Sequence, residues 1–288
     1  MDTLALQASL QNWIGKQEVC YANIAATQAQ SMAAILDWDN TLQPKGQILP
    51  SPWHWLYFLP TPKSSELDVD GHARRGGFLP PVPLPRRMWA GSRIAFKTPI
   101  RIGDNTRRVS TIKDVISKQG GSGQLVFVTI SHDILVIEDD SKTERLAISE
   151  EQDIVYREAS TSTVPPNKTP TLEPDWSHTI KPDPALLFRF SALTFNAHRI
   201  HYDRSYAVDT EGYDGLVVHG PLTAALLLDL LRKNLPDATV NTFKFRGVKP
   251  LTDTGAFKIE GCLEDNNVRL WALDASGSLV MEAEATIS

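Results

Sequence analysis

The chain has 288 residues, of which 42% are hydrophobic and 22% are charged, as is typical of a globular protein with a sizeable core. Its formal net charge of −5 argues against a nucleic-acid-binding surface, which needs clustered cationic side chains. Two widely separated cysteines, no apolar run of membrane length and no basic leader predict a reduced, cytoplasmic protein without a structural zinc site or a membrane anchor.

In the first half, apolar residues at helical spacing between residues 3 and 36 predict one or two amphipathic helices. Prolines and large aromatic residues at 38–62 indicate an ordered but irregular segment. Residues 71–96 are rich in Gly and Pro, and they predict a loop that carries the densest arginine cluster of the chain. β-type runs from Arg93 to Tyr156 predict several strands, and Gly-Gly-Ser-Gly at 120–123 predicts a hairpin turn.

The second half follows a polar, proline-rich segment at 158–184, which predicts a linker. After it we expect a strand at Leu186–Ala192, a polar turn, and a long apolar helix at Pro221–Lys233. Four further strands are predicted near Ala238–Val248, Gly255–Leu263, Asn267–Asp274 and Ser278–Ile287.

A helical region followed by strands of similar total length occurs in both halves, which indicates a duplicated unit. The helix of the second half is apolar on nearly every face, as expected for a helix buried in a curved sheet. We therefore predict an α+β fold of the double hot-dog type, with two antiparallel sheets each wrapped on a helix and a degenerate N-terminal unit.

Three of the seven histidines, His198, His201 and His219, lie close to the polar turn between the predicted strand and the long helix. Polar residues that cluster at element ends on a rigid scaffold are typical of an active site. The motifs here are FNAHRIHYD at Phe195–Asp203 and GLVVHGPL at Gly215–Leu222.

These two motifs resemble those of the MaoC-like dehydratases and (R)-specific enoyl-CoA hydratases. That family has an Asp, then Asn-Pro-Leu-His with the His five residues after the Asp, and later a His-Gly that opens the central helix. His201 matches the signature His, and His219 with Gly220 matches the His-Gly. Asn196 stands where the family has its catalytic Asp, which is a clear departure.

The whole chain, including LPSPWHWLYFLP and LPRRMWAGSRI, is similar to a two-unit bacterial branch that contains mesaconyl-C4-CoA and itaconyl-CoA hydratases. This branch is related to the mitochondrial type 2 hydroxyacyl-thioester dehydratases. The resemblance implies that residues 1–157 form a degenerate hot-dog unit that shapes the substrate pocket. Residues 158–184 would be the linker, and residues 185–288 the catalytic MaoC-like unit.

Adding water to a double bond conjugated to a thioester requires a base, a proton donor for the α-carbon, and donors for the enolate oxygen. His201 suits the two proton roles, because the unperturbed pKa of His is about 6.5. The Gly220 N–H at the helix start suits the third role, with His219 in support. Asn196 cannot accept a proton, so it would orient water or the carbonyl group, and Asp203 is the candidate assistant of His201.

Several other residues are candidates for the substrate pocket or for coenzyme A binding: His198, Arg199, Trp53, Trp55, Arg86, Arg87 and Arg93. The arginines would bind phosphates of coenzyme A or a free carboxylate. Structural alternatives are core packing for the tryptophans, a hydrogen bond to the strand end for His198, an N-cap for Asp203, and a solvated loop for the arginines at 74–93. We expect the remaining histidines to be structural: His54, His72, His132 and His178.

Three functions remain open on the sequence alone. The first is hydration of a C5-dicarboxyl-CoA, itaconyl-CoA or mesaconyl-C4-CoA, to citramalyl-CoA. The second is dehydration of a 3-hydroxyacyl thioester in fatty-acid synthesis, and the third is non-catalytic binding of acyl thioesters. The prediction includes an acyl-CoA substrate but no redox cofactor, metal, nucleic acid or membrane partner. The two units would form a pseudo-dimer within one chain, which could pair further into a homo-oligomer.

Overall fold

The computed structural model describes residues 7, 9–39, 42, 45–120, 123–138, 143–158 and 168–288. Within these ranges, ten strands form one sheet in which all neighbours are antiparallel. In chain order the strands are β1 Gln17–Asn23, β2 Arg86–Phe96, β3 Asn105–Gly120, β4 Gly123–Ile137, β5 Glu144–Arg157, β6 Trp176–Ile180, β7 Val240–Gly247, β8 Phe257–Glu264, β9 Asn267–Leu273 and β10 Leu279–Ile287.

Three α-helices have both ends within the described residues: α1 Ala26–Ile35, α2 Pro184–Leu193 and α3 Gly220–Asn234. Residues 7 and 9–11 are also helical. Short helical turns lie between them, at Trp53–Leu56, Ser64–Glu66, Arg199–His201 and Tyr206–Thr210. No helix that the structure describes combines the length and the apolar character that a membrane span requires.

The order of the strands repeats itself in the two halves of the sheet. Counted inwards from one edge the strands are β1, β3, β4, β5 and β2, and from the other edge they are β6, β8, β9, β10 and β7. The halves meet where Gly91–Ala95 of β2 pair with β7. A Cβ atom at Gly91 would lie 2.4 Å from the Phe245 carbonyl oxygen, so this junction requires glycine. The two matched halves confirm the predicted double hot-dog fold.

Helix α3 is the central helix of the second half. Every residue from Leu222 to Leu231 is buried, and the helix packs against β6, β8, β9 and β10. Its one buried carboxylate, Asp229, accepts a hydrogen bond from Trp38 Nε1 at 2.8 Å and forms an ion pair with Arg232 at 3.1 Å. A buried charge is tolerated only when it is paired in this way. The buried residues and this paired carboxylate together hold α3 in a fixed position against the sheet.

The first half has no helix of this kind within the residues that the structure describes. Helix α1 packs against α2 and the turn at Trp53–Leu56. The inner faces of β3, β4 and β5 instead contribute residues to the wall of a large cavity. The absence of a central helix in the first half agrees with the prediction of a degenerate N-terminal unit.

The prediction of one or two helices at residues 3–36 is confirmed at Gln7, residues 9–11 and α1, but it missed a strand between them. Residues 17–23 form strand β1, which pairs with β3, while α1 occupies the end of the predicted range. Alternate residues of β1 are partly buried at one face, and this pattern was too short to separate from a helical one. Residues 1–6 and 8 lie outside the described residues. The predicted loop at 71–96 is also too long, since strand β2 begins at Arg86.

Two predictions around the linker are wrong. Trp176–Ile180, placed in the linker, form edge strand β6 paired with β8. Leu186–Ala192, predicted as a strand, lie in helix α2, because Asp183 caps its start by accepting a hydrogen bond from the Leu186 N–H at 2.8 Å and Pro184 begins the helix. Residues 159–167 lie outside the described residues, as do two residues of the predicted hairpin turn, whose flanking strands β3 and β4 do pair.

Candidate active site

A cavity of about 1510 Å³ lies between the two halves of the molecule. Its wall comes from the turn after α2, the start of α3, the loop at residues 67–75, and the inner faces of strands β2 to β5. Ligand pockets commonly have volumes of about 300–1,000 Å³, so this cavity can hold a large ligand. It contains most, but not all, of the residues predicted from the sequence.

His201 lies in the wall of the cavity, at the end of the short helix Arg199–His201. Its Nδ1 atom is 2.7 Å from the Val217 carbonyl oxygen, which can only accept a hydrogen bond. Nδ1 therefore carries the proton, and Nε2 keeps a lone pair. Burial lowers the pKa of His201 to about 4, so the ring is neutral at neutral pH. An oriented neutral imidazole can accept a proton.

His219 and Gly220 form the N-terminal end of α3 next to His201. The His219 ring stacks on that of His201, with centroids 3.7 Å apart and an interplanar angle of 17°. Its Nε2 atom is 2.8 Å from Ser191 Oγ, and burial lowers its pKa well below the ordinary value. Gly220 lines the cavity as the first residue of α3. Its N–H is at the positive end of the helix dipole, where negative charge is stabilised.

Asn196 and His198 lie in the turn that precedes His201, and both line the cavity. Asn196 Oδ1 accepts a hydrogen bond from the His198 N–H at 3.0 Å, which stabilises the turn. The His198 ring is perpendicular to that of His201, with centroids 5.4 Å apart. Burial lowers the pKa of His198, so a second neutral imidazole lies beside His201.

Asp70 and His72 reach this site from a loop of the N-terminal half, although the sequence predicted only a structural role for His72. His72 Nδ1 is 2.9 Å from Asp70 Oδ2, and the His72 ring lies 3.9 Å from that of His198. The tripeptide Asp-Gly-His was the available signal, since it places a carboxylate beside an imidazole in one turn. Nothing in the sequence shows that this turn contacts His198.

Asp203 and Arg199 are not brought to the cavity wall. Asp203 Oδ2 accepts hydrogen bonds from Arg199 Nε at 3.0 Å and Nη2 at 2.7 Å. Its Oδ1 accepts the Tyr206 N–H at 3.1 Å, so Asp203 stabilises the following turn instead of assisting His201. Arg199 also donates to the Val69 carbonyl oxygen at 3.1 Å. Both residues fix the backbone around the site.

The two tryptophans have different positions. Trp53 is 1% exposed, does not line the cavity, and packs against Trp38 at a centroid distance of 4.8 Å. Trp55 does line the cavity, and its Nε1 atom donates to both carboxylate oxygens of Glu150, at 3.2 and 3.1 Å. The structure thus supports a pocket position for Trp55 and the core alternative for Trp53.

The three predicted arginines also separate. Arg93 faces outward, where it pairs with Glu151 at 3.0 Å and Asp153 at 2.6 Å. Arg86 lines the cavity but is 3.3 Å from a Glu211 carboxylate oxygen. Arg87 lines the cavity and has no ion-pair partner among the residues that the structure describes. It is therefore the predicted arginine most available to an anionic ligand.

One group in the described residues has the composition and spacing of a metal site. Potential ligand atoms of Asp70, His72 and His198 lie within 4.8 Å of one another. Asp70 and His72 are already hydrogen-bonded to each other. A hydrogen-bonded pair and a set of metal ligands are thus alternative uses of the same three side chains.

Comparisons with known proteins identify the family to which the chain belongs. A family profile described as hydroxyacyl-thioester dehydratase type 2 matches residues 52–253. The chain is 45% identical over 273 residues to the mesaconyl-C(4)-CoA hydratase of Chloroflexus aurantiacus. The aligned region covers 94% of this chain and 95% of that protein. The chain belongs to the hydroxyacyl-thioester dehydratase type 2 family.

Membership of this dehydratase family makes the protein an enzyme of the hydratase and dehydratase class of lyases, which excludes the non-catalytic hypothesis. A second family member, the mitochondrial hydroxyacyl-thioester dehydratase type 2 of Schizosaccharomyces pombe, is 27% identical over 234 residues. It covers 73% of this chain and 76% of that protein.

Solved structures show the same fold. HtdX of Mycobacterium tuberculosis superposes with a TM-score of 0.68 at 17% identity, covering 93% of this chain and 98% of that one. A MaoC-like dehydratase from Phytophthora capsici gives a TM-score of 0.64 at 12% identity, covering 98% of this chain and 97% of that one. Identities this low establish the fold and nothing about the substrate.

Proposed function

We propose that this family member hydrates a short, branched dicarboxylic enoyl-CoA, mesaconyl-C4-CoA or itaconyl-CoA, to citramalyl-CoA. The relative that is 45% identical over nearly the full length is named a mesaconyl-C(4)-CoA hydratase, which supports this substrate class. The reaction needs no redox cofactor, because hydration involves no net oxidation or reduction, and the proposal includes no metal ion. An acyl-CoA is the only partner that the proposal requires, and the predicted cytoplasmic location remains a prediction.

The observation that carries the proposal is the fixed tautomer of His201 beside the N-terminus of α3. His201 Nε2 takes a proton from the attacking water while the water oxygen bonds to the β-carbon. Electron density then moves onto the thioester oxygen, which the Gly220 N–H stabilises at the helix terminus. The stacked His219 ring fixes the position of His201 relative to Gly220.

Arg87 is the side chain that suits the second carboxylate of the substrate. It lines the same cavity as His201, and its charge contributes to lowering the pKa values of His72 and His198, so it lies near both rings. A guanidinium group binds a carboxylate through two parallel hydrogen bonds. Arg74 and Arg157 also line the cavity and remain candidates for the phosphates of coenzyme A.

The test is to follow the enoyl-thioester absorbance of mesaconyl-C4-CoA, itaconyl-CoA and crotonyl-CoA with purified protein. We expect loss of the band with mesaconyl-C4-CoA at a kcat/KM well above that for crotonyl-CoA. Turnover of crotonyl-CoA without turnover of either dicarboxylic thioester would refute the substrate assignment. His201→Ala should lower kcat by a factor of about 10² or more without unfolding the protein, and normal turnover would remove His201 from the mechanism.

A second candidate is dehydration of unbranched 3-hydroxyacyl thioesters. The size of the cavity favours it, since about 1510 Å³ leaves room for an acyl chain longer than five carbons along the N-terminal sheet. A series of 3-hydroxyacyl-CoA substrates of increasing chain length separates the two candidates. Under the first proposal kcat/KM stays low throughout the series, whereas a rise with chain length favours the second.

A further inference from the structure

The proposed hydration requires two proton transfers, and the residues considered so far account for one. The water must lose a proton as its oxygen bonds to the β-carbon, and the α-carbon must gain one. His201 offers a single lone pair, because its other ring nitrogen donates to the Val217 carbonyl oxygen. Asn196 cannot exchange a proton at neutral pH. His201 Nε2 can return this proton to the α-carbon, but a second acid in the same cavity would let the two transfers occur at separate groups.

Asp70 and His72 have the geometry of an acid–base pair. Asp70 Oδ2 is 2.9 Å from His72 Nδ1, and Asp70 Oδ1 accepts the His72 N–H at 2.9 Å. Burial alone would raise the pKa of Asp70, but the hydrogen bonds and charge of His72 keep it well below the ordinary value. Asp70 is thus an ionised carboxylate that orients the imidazole and stabilises its protonated form, leaving His72 Nε2 for exchange.

The loop that carries this pair is docked onto the turn that carries His201. The Arg199 N–H donates to the Asp70 carbonyl oxygen at 2.9 Å, and Arg199 Nη1 donates to the Val69 carbonyl oxygen. Gly71 has a φ of +88°, and a Cβ atom there would lie 1.8 Å from the Ala197 carbonyl oxygen. Such close backbone contact fixes the position of the loop. The two halves of the chain are therefore built to place His72 beside His198.

His198 connects His72 to His201 within the cavity. Its ring lies 3.9 Å from that of His72 and 5.4 Å from that of His201, and all three residues line the cavity. The α- and β-carbons of an enoyl thioester are adjacent, so the groups that serve them must be close together. His72 and His201 both lie beside the His198 ring in the same cavity wall, as this requirement demands.

On the basis of the proposed hydratase activity, we propose that His72, oriented by Asp70, is the acid that protonates the α-carbon of the substrate. In hydration, the water oxygen bonds to the β-carbon and its proton goes to His201 Nε2. The π-electron pair moves towards the thioester oxygen, and on its return the α-carbon takes the Nε2 proton of His72. Neutral His72 and protonated His201 then exchange protons with solvent, which restores the starting state.

Asp70 acts through His72 as a positioning residue. Burial lowers the pKa of His72 and of His201 alike, but the hydrogen bond from His72 to Asp70 opposes this effect at His72. The Asp70 carboxylate thus favours the protonated form of His72, which the acid role requires. In the reverse reaction the roles exchange, as microscopic reversibility requires.

The first experiment compares His72→Ala and His72→Gln with His178→Ala, a matched control because His178 is exposed on edge strand β6. Hydration of mesaconyl-C4-CoA should fall by a factor on the order of 10² or more in both His72 variants and stay unchanged in the control. Added imidazole should restore part of the rate of His72→Ala and have no effect on the wild type. An unchanged rate in folded His72→Ala, or a lost rate that imidazole does not raise, overturns the proposal.

The second experiment measures kcat/KM against pH for the wild type and Asp70→Asn. In the wild type the rate should decrease as the pH rises through the pKa of His72, which burial keeps below its ordinary value. Without the carboxylate the protonated ring is less stable, so this decrease should move to lower pH in Asp70→Asn. An unchanged profile with a uniformly lower rate would mean that Asp70 only supports the loop.

A third measurement tests whether a metal ion is bound at Asp70, His72 and His198. We expect the wild-type rate to survive treatment with EDTA and addition of Zn²⁺. A rate that EDTA abolishes and Zn²⁺ restores would overturn the acid role, because the ring nitrogens would then be ligands. If the wild type hydrates the substrate but the His72 predictions fail, the proposed hydratase function stands and only the role of His72 is refuted. If the wild type is inactive on every enoyl-CoA, the hydratase function and the role of His72 are both refuted.

Discussion

Glu150 provides the sharpest test of how the wall of the cavity is held in place. Its side chain is fully buried on the inner face of β5, where it accepts hydrogen bonds from four neighbours. They are His54 Nε2 at 3.0 Å, Trp55 Nε1 at 3.1 Å, Ser92 Oγ at 2.8 Å and Gln152 Nε2 at 3.1 Å. Replacing Glu150 by Gln keeps the shape but removes the charge and places an N–H₂ group against these donors.

The expected cost follows from the pKa of Glu150. Burial raises this pKa, but the hydrogen bond and charge of His54 outweigh it, and the value falls from 4.5 to about 2. A difference of this size between the folded and unfolded states contributes about 3 kcal/mol to stability at pH 7. Because the folded-state pKa is the lower one, the contribution is complete above pH 4.5 and decreases as the pH falls towards 2. At pH 3 only part of this contribution remains.

Urea unfolding of the wild type and Glu150→Gln, followed by tryptophan fluorescence at pH 7 and pH 3, measures this difference. Glu151→Gln is the matched control, since Glu151 is the next residue of β5 and pairs with Arg93 and Lys113 at the surface. Exposed ion pairs of this kind contribute under about 1 kcal/mol. The reasoning is refuted if Glu150→Gln costs no more than Glu151→Gln at pH 7, or if its cost is the same at pH 3.

Three further changes test other parts of the structure. Asn196→Asp should reduce kcat/KM for mesaconyl-C4-CoA more than for crotonyl-CoA, because the new charge repels the substrate carboxylate, and equal effects would contradict this. Gly71→Ala should lower both the melting temperature and kcat, because the added Cβ meets the Ala197 carbonyl oxygen, whereas Gly76→Ala has space for a Cβ and should keep kcat. Asp183→Ala should destabilise the protein by about 1 kcal/mol in urea unfolding through loss of the α2 cap, with kcat retained.

Long periodic segments were predicted well from the sequence. Strand β4 alternates buried and less buried residues along most of its length, and α3 is apolar on nearly every face, so each pattern has one interpretation. The seven residues Leu186–Ala192 fit a strand or a helix equally well. Asp183 and Pro184 decide in favour of the helix, but they lie in a segment whose composition predicted a linker.

The candidate site was predictable only where its residues are neighbours in the sequence. His201, His219 and Gly220 belong to two adjacent motifs, and the structure places them together. Asp70 and His72 come from a loop whose contact with Arg199 joins residues 130 positions apart. No local pattern specifies such a contact. Asp203 shows the opposite limit, since its place beside a motif histidine did not bring its side chain into the cavity.

The two halves belong to one polypeptide and also pair through β2 and β7, which has a consequence for how the site can change. In a dimer of identical single-unit chains, every substitution occurs twice, so a residue that improves one half must also be tolerated in the other. Here the loop that carries Asp70 and His72 occurs in one half only, although it lies beside the histidines of the other half. Joining the units in one polypeptide therefore frees each half to specialise, so that the proposed base and the proposed acid can lie on different halves.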